Sequence, residues 1–355
     1  MMISFKPSGY SREEMISAVE AMGYPYAFSG LKRRELEDFF CQVVGRSYAL
    51  AVRDLITPML VLLSYLGIGY KTKVLLSPLS YFKHFSPYLR LLGIEPMYAD
   101  VERWFLNMDA KRLPNILDDD VRLLIVNNSL GIPSDWDSIK NAIGSKEVFL
   151  IEDSRETLLT EYKGRKAGSF GYVSFLGFSE SSIVKGYGGI ILTDDQRVYE
   201  RLKENVEPMD DMMSALILSQ LNNVEENLKI RRALADLYSR LLMGIEGIKP
   251  IFLPKYVTKM YWSYFCVHLG KRYDEDARSL VANLMADDGI EVVEYPKPQD
   301  IRDGLPLRHL HIAHEVGMRA LLLPFHEDLE EEDVYFICER LKEHTVQVGA
   351  GSRDH

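Results

Sequence analysis

The side chains most able to do chemistry are spaced in ways that limit what they can do. His309-Leu310-His311-Ile312-Ala313-His314 would bring His311 and His314 to one face of a helix. Metal binding usually needs a third or fourth ligand and further residues that orient the first set. This stretch supplies neither, so it reads as a solvated helix face and no metal is expected. The three cysteines, Cys41, Cys266 and Cys338, lie far apart with no Cys-x-x-Cys pair. That argues against a disulfide framework or a zinc ribbon and for a reducing, cytoplasmic setting. Gly186-Tyr187-Gly188-Gly189 lacks the G-x-G-x-x-G register and the following helix of a dinucleotide fingerprint. No Ser-His-Asp or Cys-His set stands out, and the methionines at 209, 212 and 213 read as packing or interface residues. Asp153 ends the run Phe149-Leu150-Ile151-Glu152-Asp153. A carboxylate there either serves a site or caps the following loop.

The elements that must position these groups are those of an α/β protein. A chain of 355 residues corresponds to about two domains, and its 47% apolar and 26% charged content is ordinary for a globular protein. The net charge of −10, with Lys32-Arg33-Arg34 interleaved with Glu35, Glu37 and Asp38, argues against nucleic-acid binding. The longest apolar stretch, Leu55–Tyr70, is short for a membrane span and contains Thr57, Pro58 and Ser64, so it reads as a buried helix and the chain as free of membranes. No secretory signal is visible. From residue 48 to 193, runs such as Arg122–Asn127, Val148–Glu152, Tyr172–Leu176 and Gly189–Thr193 alternate with helical segments. Their consecutive apolar positions predict strands covered on both faces by helices. Ser11-Arg12-Glu13-Glu14 is a capping box, Asp135 and Gly144 bracket a helix, and Asp211–Leu242 is one long helical pattern. Beyond it, strands at Tyr261–Leu269 and Ile290–Tyr295 and a final helix Glu330–His344 make a smaller α+β unit.

Read in order, these segments resemble the DegT–StrS family of nucleotide-sugar aminotransferases, fold-type I enzymes that use pyridoxal phosphate. The resemblance rests on Ile151-Glu152-Asp153, then Tyr162-Lys163-Gly164 spaced without gaps from Gly168-Ser169-Phe170-Gly171, then Gly186-Tyr187-Gly188-Gly189. Further matches are Gly131–Asp137, Gln220-Leu221 through Arg231-Arg232, and Leu321-Leu322-Leu323-Pro324. Each fragment is weak alone, but order and spacing together span nearly the whole chain. The resemblance implies a large domain with a mainly parallel central sheet over 1–245, a small C-terminal α+β domain over 246–345 and a flexible tail over 346–355. The N-terminal helices are free to pack on the small domain. A homodimer with pockets at its interface is implied as well.

Position by position, the resemblance predicts a damaged cofactor site. The lysine whose amine would join pyridoxal phosphate falls at Ser181, and a hydroxyl cannot form an imine. The nearest amine is Lys185, which otherwise reads as a surface or loop-anchoring lysine. The family's Ser-Gly-Thr phosphate turn at a helix N-terminus falls on Asp54-Leu55-Ile56, with bulk where backbone must approach phosphate. Arg53 beside it is offset by Asp54, a second phosphate ligand is replaced by Leu176, and the family's N-x-R segment falls near Val206 and Pro208. Asp153 keeps the position that pairs with the pyridine nitrogen, and Tyr81 that of the aromatic stacked on the ring. Glu156 replaces a Gln or His, a poor exchange beside Asp153 unless one of the two is protonated. Tyr187 replaces a glutamate.

The expectation is therefore a catalytically degenerate homologue that forms no aldimine and binds a partner or a nucleotide-sugar-like ligand. Its vestigial pocket would be made of Tyr81, Asp153, Glu156 and Ser181 and filled by Leu55, Ile56 and Leu176. Two alternatives stand beside it. One is an active aminotransferase that uses Lys185. The other is a lysine-free dehydratase-like enzyme that uses pyridoxamine phosphate, for which serine is a weak general base.

Overall fold

A strand whose neighbouring side chains are all apolar needs cover above and below, and the sheet of the large domain meets that need. A computed structural model describes residues 2–7, 9–23, 29–80, 82, 85–180, 182–273, 276–295 and 309–351. Its main sheet contains β1 (Tyr48–Val52), β2 (Lys73–Leu76), β3 (Glu95–Tyr98), β4 (Val121–Asn127), β5 (Phe149–Asp153), β8 (Val173–Gly177) and β9 (Gly189–Thr193). They lie in the order β1-β9-β8-β5-β4-β2-β3, and only β9 runs antiparallel to its neighbours. On β4 the period of two is explicit. Leu123 and Ile125 join one core layer, with Met59 and Leu62 of α3 (Ile56–Tyr65) and Leu89 of α4 (Ser86–Leu91). Leu124 and Val126 join the other, with Trp136 and Ile139 of α5 (Trp136–Ile143). The apolar stretch read as a buried helix is thus α3, and among the described residues no helix is long and apolar enough to cross a membrane.

Local signals place the helix ends. The capping box is formed at α1 (Arg12–Ala21), where Ser11 and Glu14 each accept from the other's backbone. Asp135 accepts from Ser138 N at the start of α5, and Gly144 closes it. The long helix α7 runs Asp211–Leu242 and serves two cores. Leu216, Leu221 and Val224 pack with the large domain, while Leu234, Leu237 and Tyr238 pack with the small one. The N-terminal helices lie on the large domain. Ala18 of α1 and Phe40 of α2 (Leu31–Val44) join the layer that holds the first half of α7. The leading residues reach the small domain, where Ile3 N donates to Gly289 O at 2.8 Å and Glu291 N returns a bond to Ile3 O at 2.9 Å.

The small domain carries a four-stranded antiparallel sheet. Its strands are β10 (Ile248–Pro250), β12 (Phe265–Leu269), β13 (Val293–Glu294) and β14 (Ala320–Leu323), in the order β10-β12-β14-β13. It is covered by α8 (Ala277–Asp287) and α10 (Glu331–Gly351), with the short α9 (His311–Gly317) leading into β14. The last helix is longer than its sequence pattern suggests and takes in most of the expected tail. Thr345 bonds back to Leu341 O, Val348 packs on the core and Gly349 lies against Tyr273. A third sheet joins the hairpin β6 (Glu161–Tyr162) and β7 (Arg165–Lys166) to β11 (Val257–Lys259), stitching chain that follows residue 245 back onto the large domain.

Candidate functional site

Open parallel sheets leave a crevice beyond the carboxyl ends of their strands. Here the ends of β5 and β8, the loop after β2 and the start of α3 meet the small domain around a cavity of about 620 Å3. Arg53–Ile56, Ser80, Arg155 and Glu156 form one wall. Tyr264 and Tyr295 form the other, with Phe5 stacked on Tyr264 at 6.5 Å. The expectation of a filled pocket is overturned. Leu55 and Ile56 do line the wall, but Leu176 is wholly buried in the core, beside Val44 and Leu192, and takes up no cavity space. The volume falls in the usual range for small-molecule sites, roughly 300–1,000 Å3.

Asp153 comes off the end of β5 with its carboxylate fully engaged. Arg155 donates Nε to Oδ1 at 2.7 Å and Nη2 to Oδ2 at 2.9 Å, and Ser80 Oγ donates to Oδ2 at 2.8 Å. A bidentate arginine–carboxylate pair of this kind is strong and fixes both planes. Arg155 is held from two more sides: its guanidinium lies 5.2 Å from the Phe82 ring centre, and its stem runs across Gly177. A Cβ on Gly177 would sit 2.7 Å from Arg155 Cγ, so the missing side chain at 177 is what admits the arginine. The sequence reading missed Arg155. The signal was an Asp-x-Arg spacing at a strand end, where residues two apart share a face.

The first turn of α3 is engaged in the same way. Asp54 Oδ1 accepts from Ile56 N at 2.8 Å and from Thr57 N at 2.7 Å. These are the free donors with which a helix N-terminus would hold an anion. Arg53 is half-exposed at the mouth, 3.7 Å from the exposed Glu207. The 206–208 segment is tied to the end of β1 by the Val52–Pro208 bridge and by Arg53 N donating to Glu207 O.

Lys185 is directed elsewhere. Its Nζ donates to Gly9 O at 2.9 Å and lies 5.8 Å from the Tyr10 ring centre. Gln220 on α7 holds its backbone through two bonds of 2.7 Å. Lys185 is not among the residues lining the cavity. Tyr187 donates its hydroxyl to Asp210, the cap of α7, at 2.5 Å. Tyr81 and Ser181 lie outside the described residues. His311 and His314 fall in α9, and no group of three or more metal-ligating side chains occurs among the described residues.

Glu156 accepts from Leu130 N at 2.6 Å and so supports a turn in which Leu130 has φ +56°, a region a leucine rarely adopts. Burial, reinforced by the charge of Asp153, raises the Glu156 carboxyl above the ordinary glutamate range against the pull of Arg155. The sign of the pH effect follows. An unfolded glutamate ionises at about pH 4.3, whereas folded Glu156 keeps its proton to higher pH. Between the unfolded and the folded values the native state binds more protons than the unfolded one, so stability falls as pH rises through the folded value and levels off above it. Glu156→Gln keeps an acceptor for Leu130 N. In urea unfolding followed from pH 4.5 to 7 it is expected to flatten the pH dependence and to be no less stable at neutral pH. A loss of more than about 1 kcal/mol there would show that the negative charge is needed.

Next to Asp153 on β5, Glu152 is wholly buried and points to the other side of the sheet. Its two oxygens accept from Asn128 Nδ2, Ser154 Oγ, Gly168 N, Phe170 N, Gly171 N and Ser174 Oγ, six donors in all. The Gly168–Gly171 segment is thereby wrapped around one carboxylate.

Pyridoxal phosphate would need a free carboxylate for its ring nitrogen, free donors for its phosphate and an amine for its aldehyde. Asp153 is paired with Arg155, the α3 donors with Asp54, and the Lys185 amine with Gly9. Among the described residues, the carboxylate, donors and amine present do not fit that group.

The likeness to known proteins is nonetheless extensive. GDP-perosamine synthase of Escherichia coli O157:H7 is 24% identical over 332 residues, covering 87% of this chain and 89% of that one. Among solved structures, Spr1654 from Streptococcus pneumoniae in its apo form superposes with a TM-score of 0.91 at 19% identity, covering 99% of this chain and 100% of that one. PseC of Helicobacter pylori, an aminotransferase involved in the biosynthesis of pseudoaminic acid, superposes with a TM-score of 0.86 at 18% identity over 98% of this chain and all of its own. The sequence model of the DegT/DnrJ/EryC1/StrS aminotransferases matches residues 10–206 and 205–342. From the order of its strands to the ends of its matched segments, the chain belongs to the DegT/DnrJ/EryC1/StrS aminotransferase family.

Proposed function

We propose that this chain is a catalytically degenerate member of its family that forms no Schiff base with pyridoxal phosphate and uses its cavity to bind a nucleotide-sugar-like ligand. The observation that carries this reading is the Arg155–Asp153 pair seated over Gly177. The guanidinium supplies, from within the chain, the cationic partner that a protonated ring nitrogen would otherwise be. The capped start of α3 and the serine at 181 point the same way. The ligand class is supported by the cavity's size and by the GDP-sugar named in the E. coli relative. A homodimer belongs to this reading, with the exposed Tyr187 and Met212 as surface for it to cover; sedimentation of the purified chain tests that part.

The deciding experiment is a titration with pyridoxal phosphate, followed by near-visible absorbance, borohydride reduction and peptide mapping. No saturable band and no rise in melting temperature are expected, whereas a GDP- or dTDP-sugar raises the melting temperature. A band trapped on Lys185 would overturn the reading in favour of an active aminotransferase.

A further inference from the structure

A second pocket, sharing no lining residue with the first, opens on the small domain with a volume of about 300 Å3. Its walls come from places far apart in the chain: Arg103 and Trp104 after β3, Lys249 on β10, His268 on β12, Lys271 just beyond it, and Glu315 and Arg319 around the end of α9. The register of the small sheet sets Lys249 directly opposite His268. Four cations therefore surround one carboxylate, in a protein whose net charge is −10.

That carboxylate is shared. Arg103 and Arg319 both bond Glu315 Oε1, the latter at 2.9 Å. Lys249 lies over the Trp104 ring at 5.3 Å, and Lys271 projects as an exposed side chain. Cations so placed repel one another unless a further anion joins them. His268 completes the floor of the pocket. It is 9% exposed, lines the pocket, and its Nε2 is buried with no hydrogen-bond partner among the described residues. A buried polar atom of this kind normally has a partner. Burial, followed by the charge of Arg103, pushes the imidazole down to about 4, against the opposing pull of Glu315. At neutral pH it is an uncharged group, and the arginines and lysines carry the charge.

We propose that this pocket binds the phosphate of a small phosphorylated molecule, with Arg103, Arg319 and Lys271 facing the anion, His268 at its floor and Trp104 at its rim. The volume suits a phosphate or diphosphate group, with the remainder of a larger ligand lying over Trp104.

Trp104 also makes the proposal testable, because Trp136 and Trp262 are buried while Trp104 is 36% exposed. Inorganic pyrophosphate titrated into the full chain at low salt is expected to change tryptophan fluorescence saturably, and Trp104→Phe to abolish the signal while calorimetry still reports binding. Lys271→Glu should weaken binding about tenfold or more, and Glu315→Gln should tighten it several-fold by releasing both arginines from a competing anion. A variant that merely damaged the fold would not bind more tightly. ADP binding more tightly than pyrophosphate identifies a nucleotide as the source of the phosphate; equal binding identifies the free anion. The proposal is overturned if pyrophosphate gives neither saturable fluorescence nor heat. It is also overturned if Lys271→Glu and Glu315→Gln leave affinity unchanged, or if Arg53→Glu, in the larger cavity, is the variant that abolishes binding.

Discussion

Ser181→Lys alone is expected to leave the protein without a saturable pyridoxal phosphate band, even though it returns the amine that the family's chemistry needs. An amine addresses one of three obstacles. The ring nitrogen would still meet Asp153 already paired with Arg155, and the phosphate would still meet an α3 terminus already capped by Asp54. Adding Arg155→Ala and rebuilding the turn with Asp54→Ser, Leu55→Gly and Ile56→Thr removes the other two. The combined variant is expected to bind pyridoxal phosphate at least about a hundredfold more tightly than Ser181→Lys, a difference of ~2.7 kcal/mol. Absorbance titration with borohydride trapping measures both, and thermal unfolding checks that each variant is folded. If Ser181→Lys alone binds as tightly as the combined variant, the internal partners of Asp153 and α3 are not barriers.

The second large effect is on stability. Glu152→Ala is expected to destabilise the fold by about 3–5 kcal/mol, because it strands buried donors that the carboxylate alone satisfies. The backbone N–H groups of Gly168, Phe170 and Gly171 are the worst affected, since none can turn toward water. Set against a typical total of 5–15 kcal/mol, that is a large share. The urea midpoint of the purified variant measures it, and poor recovery of soluble protein is a second readout. A midpoint shift equivalent to less than about 1 kcal/mol would show that these donors find other partners. The contrast with Glu156→Gln is instructive. Both carboxylates lie within five residues of each other, yet one holds six donors and the other sits where its charge is disfavoured.

What the sequence made legible, and what it did not, divides along the range of the interactions. Leu123–Val126 reads as a doubly covered strand and is one, because continuous apolarity is a property of the strand itself. The start of α1 and both ends of α5 are legible because caps act within a turn. The strands β6, β7 and β11 are two or three residues long, too short to show a period, and only the fold brings them together. Asp153 stands out as a strand-end carboxylate, but its state depends on Gly177, which reaches it only through the β5–β8 pairing. Asp54 reads as a charge cancelling Arg53, whereas its oxygen caps the helix. The cavity was misjudged because side-chain volume at three positions says nothing about where those side chains turn, and Leu176 turns into the core. The basic pocket of the small domain draws on residues 103 to 319 and leaves no local trace at all.

The close fit of Arg155 over Gly177 has a consequence for the order in which these two positions can change. A methyl group added at 177 while the arginine is present would lie 2.7 Å from Cγ and 3.0 Å from Cβ, neither of which is a mobile end of the chain. The same methyl added after Arg155 has been shortened to alanine escapes the 2.7 Å clash with Cγ and keeps only the 3.0 Å approach to Cβ. The two substitutions are therefore non-additive, and one of the two single-step routes between this pair and its alternative passes through a poorly packed intermediate. The contact works as a ratchet: a lineage that carries it leaves most readily by changing residue 155 first.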